Sequence, residues 1–186
     1  MIHGANVKKI FRELDQAMAA KGRKDELVIF GSAALMSQGI KLGHRATHDV
    51  DVVKPPFDNE MWVISAEAGE KFGLPMGWLN TAGNIFSRNF PEGWEDRTLE
   101  VFKGKALTVK SLGRIDMICT KFNAYCDRRR DTDEQDMLGL SPSKEEMKKA
   151  QNWVIGLEKV PKEIVIQSAK DILSLLEKRR DKGRGR

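Results

Sequence analysis

The sequence predicts a small α/β or α+β sheet domain followed by a helical C-terminal part. Three observations carry this. Leu27-Val28-Ile29-Phe30 is a continuous apolar run of buried-strand type that leads straight into Gly31-Ser32. Asp49-Val50-Asp51-Val52-Val53 alternates like a second strand. Helical periodicity precedes, separates and follows these runs, giving the order helix, strand, helix, strand, helix, hairpin, helices.

The first helix is read over residues 5–21, where Val7, Ile10, Phe11, Leu14, Ala17 and Met18 recur on one face and Gly22 stops the pattern. Ser32 is placed as the N-cap of a helix from Ala33 to Gln38, closed by Gly39. Lys41 to Thr47 is a polar connector, and the strand from Asp49 to Lys54 stops at Pro55-Pro56. Asp58 caps a helix to about Phe72 that offers Met61, Trp62, Ile64, Ala68 and Phe72 for burial. Gly73 to Gly93 has no clear period. Trp78 and Asn80 within it are read either as a base-stacking pair or, for the tryptophan, as core.

Arg97 to Phe102 and Ala106 to Lys110 form a hairpin across Lys103-Gly104-Lys105. Ser111 is read as the cap of a helix from Leu112 to about Arg128 with Ile115, Ile118, Cys119 and Phe122 inward. Arg114, Lys121 and Arg128 then form a positive stripe on its opposite flank. Ser141-Pro142-Ser143 marks a boundary, and two helices follow, Lys144 to Leu157 and Pro161 to Lys178. The predicted organisation is a core domain over residues 1–140 and a helical segment with a basic tail over 141–186.

The composition is that of a globular chain, 40% apolar and 32% charged. No run approaches the roughly 18 apolar residues of a membrane span, and the N-terminus lacks the apolar core of a signal peptide, so no membrane is expected and the expected compartment is the cytoplasm. Cys119 and Cys126 lie two helical turns apart, roughly 10 Å, which is too far for a disulfide and suits reduced core residues. Residues 1–140 hold 20 Lys/Arg and 20 Asp/Glu, whereas 141–186 hold 12 and 7, so the net charge of +5 resides in the last segment. Its end, from Lys178 to Arg186, has six cations and one acid. Such a tail follows a phosphate backbone without reading sequence, or is simply a solvated terminus.

The chemistry centres on Asp49 and Asp51, which period two places on one face of a strand. Like charges held that close stay ionised most readily around a divalent cation, so they are candidate metal ligands. His48 alternates to the other face and is not counted among them. No Cys/His cluster suggests zinc, and no phosphate-loop motif with its lysine is present.

Gly31-Ser32, then Arg45-Ala46-Thr47-His48-Asp49-Val50-Asp51, resembles the signature of the DNA polymerase beta-like nucleotidyltransferase superfamily. More narrowly it is similar to the bacterial branch that includes AbiEii and MenT-type toxins and related nucleotidyltransferases. The downstream Thr120-Lys121-Phe122-Asn123-Ala124-Tyr125, with Arg128 to Asp136 and Met137, is similar to that branch's lysine helix and its arginine- and acid-rich segment. The resemblance covers residues 27–140 in scattered motifs and implies a mixed sheet against helices, Mg²⁺ and a nucleoside triphosphate. It makes Asp49, Asp51 and a third carboxylate, for which Glu100 is chosen over Asp96 and Asp116, the metal ligands.

In the same reading Gly31 lets the backbone approach the phosphates, Ser32 offers its hydroxyl and amide, and Lys121 reaches the triphosphate. Asp133 and Asp136 both fit the late acidic position, and either is also a natural partner for the nearby arginines. Arg45 and Thr47 orient phosphate or the metal strand, or else shape a turn. The acceptor among relatives is RNA such as tRNA, protein or a small molecule, and a toxin would have an antitoxin protein as partner. A second reading keeps the fold as a nucleotide- or RNA-binding module without catalysis. A third makes the basic tail the active feature of a nucleic-acid-binding protein.

Overall fold

The computed structural model describes residues 1–43 and 45–184, with side chains as far as residue 182. Gly185 and Arg186 of the basic tail, and the side chain of Arg184, lie outside the described residues. The chain folds as two units, Met1–Gly113 and Arg114–Arg186. Among the described residues no helix is long and apolar enough to cross a membrane.

The first unit is the expected mixed sheet against helices. Its elements are α1 (Val7–Ala20), β1 (Asp25–Phe30), α2 (Gly31–Ser37), β2 (Val50–Lys54), α3 (Asn59–Glu70), β3 (Leu79–Asn80), α4 (Gly83–Ser87), β4 (Leu99–Lys103) and β5 (Leu107–Ser111). The five strands lie in the order β3-β2-β1-β5-β4. β1 runs antiparallel to β2 and parallel to β5, β3 runs parallel to β2, and β4 and β5 make the antiparallel hairpin. Leu27, Val28 and Ile29 are buried, successive residues on both faces of the central strand β1. α1 buries Val7, Ile10, Phe11, Leu14 and Met18, each worth about 1.5–3 kcal/mol of transfer free energy.

Three polar contacts pin this unit. Asp58 caps α3 as the sequence indicates, its Oδ1 accepting from the Met61 amide at 2.8 Å, while Arg23 donates to both its oxygens at 2.7 and 2.8 Å. The hydrogen bonds from Arg23 hold the Asp58 carboxyl below its ordinary range. Asp15, buried on α1, accepts from the Ala106 and Leu107 amides at 2.7 and 2.8 Å and so ties the β4–β5 turn to the helix. Burial pushes the Asp15 carboxyl up, but the amides of Ala106, Leu107 and Lys105 and the Lys105 charge outweigh it, leaving the group below the usual carboxylate value.

Two predicted caps are corrected. Helix α2 starts at Gly31 directly after β1, so Ser32 lies inside the first turn and no side-chain cap is made. Ser111 is the last residue of β5, fully buried, with Gln38 Nε2 donating to its Oγ at 2.8 Å, and the following helix begins only at Arg114. Within the stretch of unclear period, Trp78 is core: it is 1% exposed and its Nε1 donates to the Ser65 carbonyl at 2.7 Å. Asn80 is spent locally, its Oδ1 accepting from the Ala82 amide at 2.8 Å.

The second unit contains α5 (Arg114–Arg128), α6 (Asp131–Leu140), α7 (Lys144–Gly156) and α8 (Lys162–Arg184). Its core takes Ile118, Cys119 and Phe122 as expected, while Met117, Tyr125 and Cys126 are also buried and Ile115 is only partly so. Ser143 and Glu146 form a capping box on α7, with Ser143 N donating to Glu146 Oε2 at 2.8 Å and Glu146 N to Ser143 Oγ at 3.1 Å. Neither cysteine is in a disulfide and both are buried, and burial pushes the Cys126 thiol up to about 11, far from nucleophilic use.

Candidate active site

The turn from β1 into α2 is made in one residue. Phe30 is extended, and Gly31 takes φ +79°, a left-handed conformation open to glycine without the strain a Cβ brings. The space above Gly31 is also taken, because a Cβ there would sit 3.2 Å from Asp51 Oδ2. The glycine thus lets the Asp51 carboxylate close against the first turn of α2. On β2, Val50 and Val52 are buried while Asp51, register partner of Phe30, turns to the other face and is half-buried.

Asp49 precedes the strand and is exposed. Thr47 orients it, the Thr47 hydroxyl donating to Asp49 Oδ1 at 2.7 Å. Thr47 is itself held by its backbone, which exchanges hydrogen bonds with Ile2 at 2.8 and 2.9 Å. Arg45 Nη2 donates to Ser32 Oγ at 2.9 Å, so the connector reaches back to the α2 turn. Arg45 also lines a cleft of about 620 Å³ with His3, Met36, Ile40, Lys41 and Leu42. Gly31, Ser32, Arg45, Thr47, Asp49 and Asp51 are therefore joined through these contacts in one neighbourhood of the first unit.

Glu100 is not brought there. It lies on β4, the far edge of the sheet, with β5 and β1 between it and β2, about 14 Å away at ordinary strand spacing. It is exposed, with Lys103 Nζ 3.6 Å from its Oε2. Asp96 lies in an exposed 3-10 turn, and Asp116 is fully buried in the first turn of α5. Among the described residues no group of three or more His, Cys, Asp or Glu is arranged to hold a metal ion. Asp51 on β2 and Asp49 just before it are nevertheless hard carboxylates of the kind that suits Mg²⁺, which is commonly held by one or two carboxylates while substrate phosphates and water complete its shell.

In the second unit the predicted stripe of α5 is neutralised cation by cation. Arg114 makes a forked pair with Glu146, Nε to Oε1 at 2.7 Å and Nη2 to Oε2 at 3.1 Å. Lys121 Nζ lies 2.7 Å from Asp136 Oδ2, with Lys121 12% and Asp136 0% exposed. Arg128 forks onto Asp133, Nε to Oδ2 at 3.2 Å and Nη2 to Oδ1 at 2.8 Å. The two acids that fitted one late position thus take separate partners, both bonding α6 to α5.

An aromatic chain that the sequence did not single out also lies in the first unit. Ring centroids of Phe30 and Phe86 are 5.9 Å apart, Phe30 and Phe90 5.4 Å, and Phe90 and Trp94 5.5 Å. The spacing of residues 86, 90 and 94 by fours was the available signal.

A family model described as "Nucleotidyltransferase of unknown function (DUF6036)" matches residues 5–145. No curated protein and no solved structure matches the chain.

Proposed function

The chain belongs to this nucleotidyltransferase family, and on that premise we propose that it moves a nucleoside monophosphate from a nucleoside triphosphate to an acceptor hydroxyl, with Mg²⁺ held by Asp49 and Asp51. The observation that carries this reading is the closure of the Asp51 carboxylate on the Gly31 turn beside a Thr47-oriented Asp49. Mg²⁺ bound there supplies charge neutralisation on the phosphoryl oxygens and alignment of the triphosphate.

The chain's own groups do the rest. Gly31 keeps the α2 turn clear for Asp51, and Ser32, tied to Arg45, presents a hydroxyl and a cationic guanidinium on the same side of the connector. Arg45 is assigned to the phosphates because its fork matches their oxygens. The acceptor oxygen forms a bond to the α-phosphorus as the bond to the leaving pyrophosphate breaks, and positioning accounts for most of the rate. Only the sequence resemblance offers Lys121, a residue of the second unit, as a triphosphate cation. Its pairing with Asp136 gives it a structural duty in any case.

RNA is the acceptor class we favour. Lys178, Arg179, Arg180 and Lys182 are all exposed on the last turns of α8, and among the described residues none of them has an ion pair. Phosphate neutralisation by such residues is salt-dependent and independent of sequence. The test is to incubate the full chain with each labelled nucleoside triphosphate, Mg²⁺ and total cellular RNA or protein. Label transfer to RNA that vanishes in the Asp49→Ala/Asp51→Ala double variant is expected; undiminished transfer by that variant would remove the proposal.

A further inference from the structure

The aromatic chain starts beside the candidate metal ligand. Phe30 and Asp51 are register partners in an antiparallel pair, and such partners share a face with Cβ atoms about 4.5–5.5 Å apart. β3 pairs only with Val50 and Asp51, and α4 takes over the strand edge beyond it. Gly83 makes that approach possible, since a Cβ there would sit 2.7 Å from the Val52 carbonyl oxygen and 2.9 Å from Phe30 Cε1. The helix is thereby fixed against the strand that carries Asp51, with Phe86 over Phe30 and still 54% exposed. Phe90 also packs on Phe30 and is itself braced edge-on by Trp94.

We infer that Phe86, backed by Phe30 and Phe90, is the shelf on which the base of the nucleoside triphosphate stacks while its phosphates meet Asp49 and Asp51. The inference rests on the transferase reading, which supplies the nucleotide. The ligand chemistry follows from the ring itself: an exposed phenylalanine packed on Phe30 takes a planar π-system, and stacking tolerates every base. Discrimination among the four nucleotides at this surface is accordingly weak.

The experiment measures equilibrium binding, with Mg²⁺, of a non-hydrolysable ATP analogue and of inorganic tripolyphosphate to the full chain, to Phe86→Ala, to Phe86→Tyr and to Asp51→Asn. Phe86→Ala weakens the nucleotide on the order of tenfold and leaves tripolyphosphate unchanged, Phe86→Tyr restores it, and Asp51→Asn weakens both ligands. Nucleotide affinity unchanged in Phe86→Ala overturns the shelf and leaves the transferase reading standing. Equal loss of nucleotide and tripolyphosphate in Phe86→Ala overturns it too, because the residue then acts through the fold. A Phe86→Ala chain that binds nucleotide normally but needs more acceptor for transfer assigns the surface to the acceptor's base and overturns the inference. A wild-type chain that binds neither ligand removes the transferase reading, and the shelf with it.

Discussion

Asp49 and Asp136 are the same side chain put to opposite uses. Asp49, in the first unit, is exposed and oriented by a neutral hydroxyl. Asp136, in the second, is fully buried against the ammonium of Lys121. An acid enclosed with its counter-ion has its electrostatic demand met inside the fold and works as a fastener. One held in place by a threonine, with its charge turned outward, keeps that demand open for a cation from solution. Local partners, more than residue type, separate the structural acids of this chain from the candidate catalytic ones.

The sharpest way to break this contrast is to neutralise one acid on each side. Asp136→Asn is expected to destabilise the second unit by about 3–5 kcal/mol, because the nearly buried Lys121 loses its partner. Asp49→Asn is expected to leave stability within about 0.5 kcal/mol. Urea unfolding of both variants decides it, and equal losses would erase the distinction. The reciprocal measurement is turnover. Asp51→Asn should lower nucleotidyl transfer a hundredfold to a thousandfold, roughly the several kcal/mol that metal-borne charge stabilisation supplies.

A subtler probe is Gly31→Ala. The left-handed backbone at φ +79° makes the methyl cost about 1–2 kcal/mol, and its contact with Asp51 moves the carboxylate. Thermal unfolding should show a modest loss while transfer activity falls further than stability does.

The smallest effect is in acid. Asp15 and Asp58 in the first unit and Glu146 in the second all sit below their ordinary values of 3.8, 3.8 and 4.5 when folded. For Glu146 the cause is first the hydrogen bond from Arg114 and then, against the cost of burial, the Ser143 amide. A depressed folded pKa means that the unfolded chain binds the proton more readily. The stabilisation is therefore complete above those values and disappears as pH falls through the lower, folded ones. Denaturant midpoints should decline below about pH 4.5, and Glu146→Gln should flatten the second unit's share of that decline.

What could be read from the sequence was what neighbouring residues decide among themselves. The apolar period of α1, the buried run of β1 and the Asp58 cap are settled within a few residues, and so is the alternation that separates Asp51 from Val50 and Val52. Ser32 and Ser111 misled because each looks like a cap, whereas β1 and β5 run on until the chain turns without one. Elements as short as β3 and α4 contain too little period to detect. Glu100 failed for a topological reason: which strand lies beside which depends on the parallel β1–β5 pairing across some eighty residues, and that pairing puts the hairpin at the far edge. The Lys121–Asp136 pair is likewise invisible locally, since it needs α6 folded back on α5.

Trp78 shows how far a small change can travel. Its indole hydrogen-bonds Ser65 on α3, and its carbonyl accepts from the Val50 amide at 2.6 Å, one residue from either aspartate. Facing that indole on α3 is Gly69, where even a Cβ would lie 2.3 Å from Nε1. A single methyl at residue 69 would push the tryptophan, the tryptophan would pull the strand, and the carboxylates would lose their aim. Sequence change at this quiet helix position is therefore as constrained as change at the acids themselves.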